Sequence, residues 1–594
     1  MASAQAQVLN NNGAIGNITS GTVVSGGTFV NTSGTISNAG ILTLSADLTN
    51  SATIDGNGIY NIAGDFTNNS VFTAGTSTVT FNGSAAQTLD GTAITTFNNI
   101  VQSNSAGVSL GQDANLVDEL SVSSGTFTTT GFDFTLISDA SRTARIAEIP
   151  AGADITGNIV TQRYSGIGPT DWRFLSSAVS GATIADWADD FPTTSFTGST
   201  QPGLSFVSIY SYDESVAGVA DNGYVPATST ADPIVSGLGY WVYLGDNPIT
   251  FSVTGPPHTF TVTPTVTYSV SAGMADDGWN LIANPYPSAI DWDDASWTKT
   301  NVDDAVYIYN SNTGTFASYV GGVGVNGGSR YIASQQAFWV KANASSPAIT
   351  MVEDIKADQD PSHLKLLSTE NTSHYPMAFS DFPVPPNTNS IPNSILLTAS
   401  GNGYSDETFI RFKPGSTGGF DGESDAWKLE NPNAAAPNFS SVIMDSLDLS
   451  INNLPDLTYD IIIPIRLRVP VTGTYTISRD SSLLLTSNAC VMLEDLVNNS
   501  MIDLFSNVSY SFIISDTTSA PRFLLHICDS AASTGVSEKK EESSGMKVIY
   551  DNGDIYLAFD LAEASDVNIS VIYIPRKFIN KPLQRLERHF RHSL

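Results

Sequence analysis

Apolar and polar residues alternate with a period of two in short runs along almost the whole chain. Stretches with the 3.6-residue period of a helix are nearly absent. Residues 8–150 carry the shortest runs. Phrases such as GTVVSGGTFVNTSGTISNAGILTLSADLTN hold two or three inward and outward alternations, then Gly, Asn or Asp-Gly, then the next run. Small residues at the corners, with Val, Ile, Leu or Phe pointing in, suit stacked coils in which each rung buries its face on the next. The pattern predicts a β-solenoid or β-helix-like stalk over 8–150, with an ordinary β-sandwich as the alternative because the period is irregular.

Residues 151–352 read as one unit written twice. DWRFLSSAVSGATIADW at 171–187 matches GWNLIANPYPSAIDW at 278–292, SIYSYDES at 208–215 matches YIYNSNTG at 307–314, and GLGYWVYLGDNPITFSV at 237–253 matches SQQAFWVKANASSPAITM at 334–351. The offset drifts from 107 at Trp172/Trp279 to 98 at Trp241/Trp339. A constant order with small drifts means two copies that differ in loop length. Two paired β-sandwiches are expected, at 151–255 and 256–352. Residues 353–392 are Pro-rich and read as a linker merging into an edge strand, since Pro lacks the donor a central strand needs. From 393 to 530 the strand pattern returns in ETFIRFK, YDIIIPIRLRV, GTYTIS and RFLLHI, and predicts a further sandwich. Three last runs, Val548 to Tyr550, Ile555 to Phe559 and Val567 to Ile572, are separated by Asp551-Asn552-Gly553-Asp554 and by Glu563-Ala564-Ser565-Asp566, which is hairpin chemistry. The fold class is therefore all-β and multidomain: a solenoid-like N-terminal region followed by sandwiches.

Composition narrows the function classes. The net charge is −33, charged residues make up 14%, and the first lysine is Lys299, so a phosphate backbone would be repelled from most of the surface. Nucleic acid is not an expected partner. MASAQAQ offers two small-x-small patterns, Ala2-Ser3-Ala4 and Ala4-Gln5-Ala6, which resemble the cleavage end of a secretory signal, and residues 1–7 read as its remnant. No apolar run approaches the ~18 residues that span a bilayer. Cys490 and Cys528 fall in one expected domain and leave two readings open, a single bridge or two buried thiols.

Residues 536–574 resemble the opening half of the C-terminal sorting domain of type IX secretion cargo in Bacteroidetes. The ordered phrases DETFIRF, GGFDGESDAWKL, LSINNLP, IPIRLRV, GTYTI, VMLEDL and YSFIISDTTSAPRFLLHI resemble the sandwich that precedes that domain, and STVTFNGSAAQTLDG and TTFNNIVQSNSAGVSL resemble parallel β-helix stalk segments of surface proteins from the same phylum. The resemblance implies Sec export through the periplasm, the type IX machinery as partner, and an address that is secreted or on the outer surface. Residues 575–594 depart from the family, holding six of the 25 basic residues in place of its further strands.

Candidate chemistry is sparse. Gly107-Val108-Ser109-Leu110-Gly111 has the spacing of a nucleophile elbow but no helix pattern after it and no histidine before His258. The six histidines show no zinc-ligand spacing. Asp291, Asp293, Asp294, Asp303 and Asp304 crowd a loop of the second repeat, as Asp186, Asp189 and Asp190 do in the first. Such oxygens suit Ca²⁺, although none of these runs has the D-x-[DN]-x-[DN]-G pattern. Asp421, Glu423 and Asp425 could pair as glycosidase acids do, and read as loop acids. Seven of the eight tryptophans lie between 172 and 339. Six pair across the duplication and read as core, whereas Trp297 has no counterpart and is the candidate ligand contact.

The expected function is an adhesin or display protein that binds extracellular glycan or a cell surface without catalysis. The alternative is a polysaccharide lyase or glycosidase on the solenoid or in a sandwich cleft. That reading needs a line of Asp, Lys or Arg along one solenoid face, and the first 150 residues supply no Lys and only Arg142 and Arg145.

Overall fold

The computed structural model describes residues 8–166, 172–359 except 246 and 312, 391–528 except 444–446, 458–459, 481–484, 486–489 and 518–521, and the strands Met546–Asp551 and Asp554–Phe559. The fold is all-β, with one short α-helix, Ile184–Ala188, and two single 3-10 turns, Ala220–Gly223 and Glu353–Ile355, among the described residues. No helix among them is long and apolar enough to cross a membrane.

Residues 9–165 wind into a parallel solenoid with two ladders. One stacks Phe29–Asn38, Leu48–Asn50, Phe66–Asn68, Gln87–Gly91, Val108–Leu110, Gly125–Thr128 and Ala153–Thr156 in turn. In the other, Leu42 stands opposite Tyr60, Tyr60 opposite Val79, Val79 opposite Ile100 and Ile100 opposite Leu120, one coil every 18 to 21 residues. All five are buried. Alternation puts every second side chain into the coil, and parallel in-register stacking sets it on its counterpart. Phe66 lies 5.4 Å from Phe97 and 5.6 Å from Phe72, an aromatic column within the stack.

At one corner the inward residue is Asn. Asn11, Asn31, Asn50 and Asn68 are buried, and each amide nitrogen donates to the next carbonyl over 2.9 Å, ending on the Thr95 hydroxyl. Asn carries both a donor and an acceptor, so identical residues satisfy one another from coil to coil.

Parallel pairing runs past residue 150 through Ala153–Thr156 and Ile159–Ser165. The series stops where Ile249–Gly255 pairs antiparallel with Ile159–Ser165. The opening and closing strands of the expected 151–255 sandwich thus belong to the solenoid ladders, and one continuous core reaches from Leu42 to Trp187 and Val253. The parallel series thus ends on this antiparallel strand, which is the last strand of its sheet.

The two repeats share one strand order. Trp172–Leu175, Tyr240–Tyr243, Ile209–Tyr212 and Tyr224–Pro226 lie side by side in that order, and so do Trp279–Ala283, Ala337–Lys341, Val306–Asn310 and Thr315–Val320, followed by Val323–Val325. They meet reciprocally. Ser176 donates its backbone N–H to Gln335 over 2.9 Å, and its counterpart Ala283 donates to Gly237 over 2.9 Å. Leu175 bridges Gln336 as Ile282 bridges Leu238. Contacts exchanged in this way are those of a two-fold interface, here built within one chain. The backbone is left-handed at both acceptors, with φ 74° at Gly237 and 60° at Gln335.

The second repeat also holds the solenoid. Glu353 lies in the Pro-rich span expected as linker, on the turn Glu353–Ile355 that closes this repeat. Its carboxylate accepts the Ile149 N–H at 2.9 Å, the Phe260 N–H at 2.8 Å and the Lys356 ammonium at 2.7 Å, and the glutamate and lysine side chains are both buried. Residues 360–390 of that linker lie outside the described residues.

Residues 394–528 form an 11-stranded sheet around a core that includes Leu397, Ile410, Ile465, Leu493 and Leu525. Cys490 is disulfide-bonded, and Cys528, the only other cysteine, faces it in the ladder. A separate unit, Ser533–Leu594, contains the hairpin Met546–Asp551 with Asp554–Phe559, in which Asp551 faces Asp554. The third run of the expected sorting domain, the tail 575–594 and the signal remnant 1–7 lie outside the described residues.

Candidate functional site

Most of the acids singled out in the sequence are engaged locally. Asp291 takes a two-pronged hold from Arg330, at 2.6 Å and 2.5 Å. Asp293 accepts from the Tyr319 hydroxyl, and Asp294 caps the Ser296 N–H at 2.8 Å. Asp304 pairs with Lys299 at 2.8 Å, whereas Asp303 is buried on the Asn343 amide at 2.8 Å, and burial pushes its carboxyl up. Among the described residues no three His, Cys, Asp or Glu come together to hold a metal ion. In the expected Ca²⁺ loop each carboxylate has a protein partner: Arg330, the Tyr319 hydroxyl, the Ser296 N–H, the Asn343 amide or Lys299. In the first repeat, Asp186 caps the helix at the Thr183 N–H over 2.8 Å and Asp190 accepts the Ser252 N–H over 2.6 Å.

Trp297 offers no ring face to a ligand. It is 8% exposed, its ring lies 4.8 Å from that of Trp292, and its N–H donates to the Asp291 carbonyl at 2.7 Å. A tryptophan without a counterpart in the other copy is here part of that copy's own core. Ser109 lies mid-strand in the solenoid, between Thr88 and Thr128, so the elbow letters spell an ordinary rung. Asp425 accepts the backbone N–H of Asn453 at 2.7 Å and of Asp421 at 2.8 Å, which ties its turn to the strand Asp448–Leu454.

A different set of side chains forms the most distinctive surface. On one face of the first repeat's sheet the register aligns Trp172 with Tyr243, Phe174 with Trp241, Trp241 with Tyr210, and Tyr212 with Tyr224. Every one of these positions is aromatic. The opposite face carries Leu175, Tyr240, Val242 and Ile209, which are buried in the solenoid core. Trp172 stacks on Trp241 with centroids 5.4 Å apart and planes 9° from parallel, and Tyr243 meets Trp172 edge-on at 5.5 Å. Phe206, 38% exposed, closes on Tyr243 at 5.2 Å.

The equivalent face of the second repeat is fully covered. Trp279, Tyr307, Tyr309 and Trp339 are buried in a cluster with Phe409, Trp427 and Ile451 of the following sheet. The Tyr307 hydroxyl accepts the backbone N–H of Trp427 at 2.8 Å. In the first repeat, Phe174 and Tyr212 meet Trp339 at 6.0 Å and 4.5 Å, while Trp172, Trp241, Tyr210 and Tyr243 stay half-buried. One ancestral face thus has two fates within a single chain.

The sequence matches the family model of a domain of unknown function, DUF8693, over residues 120–527. The chain belongs to the DUF8693 family. No match was found among curated proteins or among solved structures. The DUF8693 span begins in the solenoid strand Ala114–Val122 and ends in Phe523–Cys528, so it takes in the last coils, both repeats and the 11-stranded sheet. These parts are joined across their boundaries by Glu353, by the strand Ile249–Gly255 and by the Tyr307–Trp427 contact. The aromatic face lies inside the DUF8693 span. Its signal in the sequence is the alternation of aromatics in WRF, IYSY and YWVY, which pairing across the duplication assigns to core in both copies alike.

Proposed function

We propose that the protein is exported by the type IX route, secreted or held at the outer surface, and binds a neutral polysaccharide through the aromatic face of its first repeat without chemical turnover. The observation that carries this reading is the asymmetry between the copies: the second buries its aromatic sheet face under the next domain, and the first leaves Trp172, Trp241, Tyr210 and Tyr243 half-buried with Phe206 beside them. Flat apolar rings with polar edges suit the C–H faces of sugars, as they suit other amphipathic partners. Burial raises the Tyr212 hydroxyl, and the nearby Glu214, Asp221, Asp276 and Asp213 raise it further; this acidic border disfavours a polyanionic ligand.

Two features support the extracellular address. The bonded Cys490 fits an oxidising compartment, and the hairpin at Met546–Phe559 fits the opening of the sorting domain that the sequence resembles. The test is a glycan array followed by pull-down on the polysaccharide that scores. Trp172→Ala is expected to weaken retention by about tenfold or more, with the melting transition preserved. Absence of any glycan hit for the intact chain, or equal retention of the variant, would remove the reading.

A further inference from the structure

Lys428 and Asp406 form the most enclosed ion pair among the described residues, with side chains 1% and 0% exposed. The Lys428 ammonium sits 2.6 Å from one carboxylate oxygen of Asp406 and 2.7 Å from the other. Each oxygen has a second, fixed donor. The Asn326 side-chain amide reaches one at 2.7 Å, and the Phe439 backbone N–H reaches the other at 2.6 Å. Nothing in this arrangement needs water, and none of the four groups is free to swing away. The comparable pair, Lys356 with Glu353, places its lysine on a single oxygen.

We propose that Lys428 and Asp406 condense into an intramolecular amide, a covalent cross-link between the segment after Ala426–Trp427 and the strand Tyr404–Phe412. The ammonium first passes a proton to the carboxylate, leaving a neutral amine against a carboxylic acid. The Lys428 nitrogen then bonds to the Asp406 carboxyl carbon, and the Asn326 amide and the Phe439 N–H hold the two oxygens of the tetrahedral intermediate as an oxyanion hole would. One oxygen leaves as water. Of the three ammonium hydrogens, two depart with that water and one stays on the amide nitrogen, so atoms and charge balance with no further reactant. Two groups held permanently within bonding reach react as though each were present at very high concentration, and exclusion of water opposes the reverse hydrolysis. Glu407, the next residue on the strand, accepts the Asn326 backbone N–H at 2.6 Å, and burial holds its carboxyl above the ordinary range.

The experiment is intact-mass measurement of the full, folded chain after reduction of its disulfide, followed by proteolytic mapping. The expected result is a chain one water lighter than its sequence, with a branched peptide joining residues 406 and 428. K428R should return to the full sequence mass, and D406N should give the same branched peptide by losing ammonia in place of water. A wild-type chain that keeps its full sequence mass after prolonged incubation, with unbranched peptides covering both positions, overturns the proposal. That measurement is made on the native chain, so it decides the matter even if a variant fails to fold.

Discussion

The side-chain amide of Asn31 donates to the side-chain carbonyl of Asn50 over 2.9 Å, and Asn50 repeats the same bond to Asn68 one coil further on. Asn50 also donates to the Val71 carbonyl at 2.9 Å and accepts the Ala52 N–H at 3.2 Å. Replacing it by alanine orphans buried groups on two coils. The expected cost is about 3 kcal/mol, read as a lower urea midpoint. Asn50→Asp should be worse, because an acceptor-only carboxylate would face two further acceptors, the Asn68 carbonyl and that of Val71. Unchanged midpoints would show that the ladder is decorative.

Glu353 joins the end of the solenoid to the second repeat through Ile149 and Phe260, with Lys356 neutralising it. Glu353→Ala leaves a lysine charge buried without its partner, a change that costs about 3–5 kcal/mol. Because the lost bonds span two modules, calorimetry should resolve the single transition of the 8–528 body into two, with the solenoid melting apart from the rest. A single transition merely shifted downward would mean that coupling runs through the shared core alone.

The Cys490 bridge closes the loop to position 528 across neighbouring strands. Loop-closure entropy assigns such a link about 4 kcal/mol as an upper figure. Reduction, or Cys490→Ser, should therefore lower the denaturant midpoint of the 11-stranded sheet and leave solenoid-specific signals in place. Alkylation of the unreduced protein should modify no cysteine, and labelling of both would contradict the bond.

Asp425 gives a pH signature with a definite sign. Burial pushes its carboxyl up to about 6, against 3.8 ordinarily. The native state therefore holds the proton more tightly than the unfolded one. The associated stability is fully present below about pH 4 and is lost as pH rises through 6. Between pH 4 and 6.5 the wild type should lose about 2–3 kcal/mol relative to Asp425→Asn, whose side chain does not titrate. Parallel stability curves for the two proteins would rule this out.

Much of the architecture is legible in the residues. Alternation in GTVVSGGTFV and ETFIRF foretells strands, because which side of a strand faces the core is a local property with period two; the short runs with small-residue corners before residue 150 suit a solenoid and leave a sandwich open. The candidate site was less accessible. Trp172 and Trp279 occupy the same position of the duplicated unit, and nothing near either one says that Trp427 and Phe409, more than a hundred residues downstream, cover only the second. The acidic loop follows the same logic: along the chain Asp291 and Asp293 read as free oxygens, and only the fold brings Arg330 and Tyr319 against them.

Strand content and the duplication follow from the residues alone, since each depends on neighbours within a few residues or on direct repetition. The packed structure sets where the solenoid stops, that Ile249–Gly255 ends its sheet, which aromatic face remains half-buried, and that Lys428 is sealed against Asp406. Those outcomes depend on contacts between segments far apart in the chain, and the free energy of burying a surface belongs to both partners, so neither partner's sequence carries it alone.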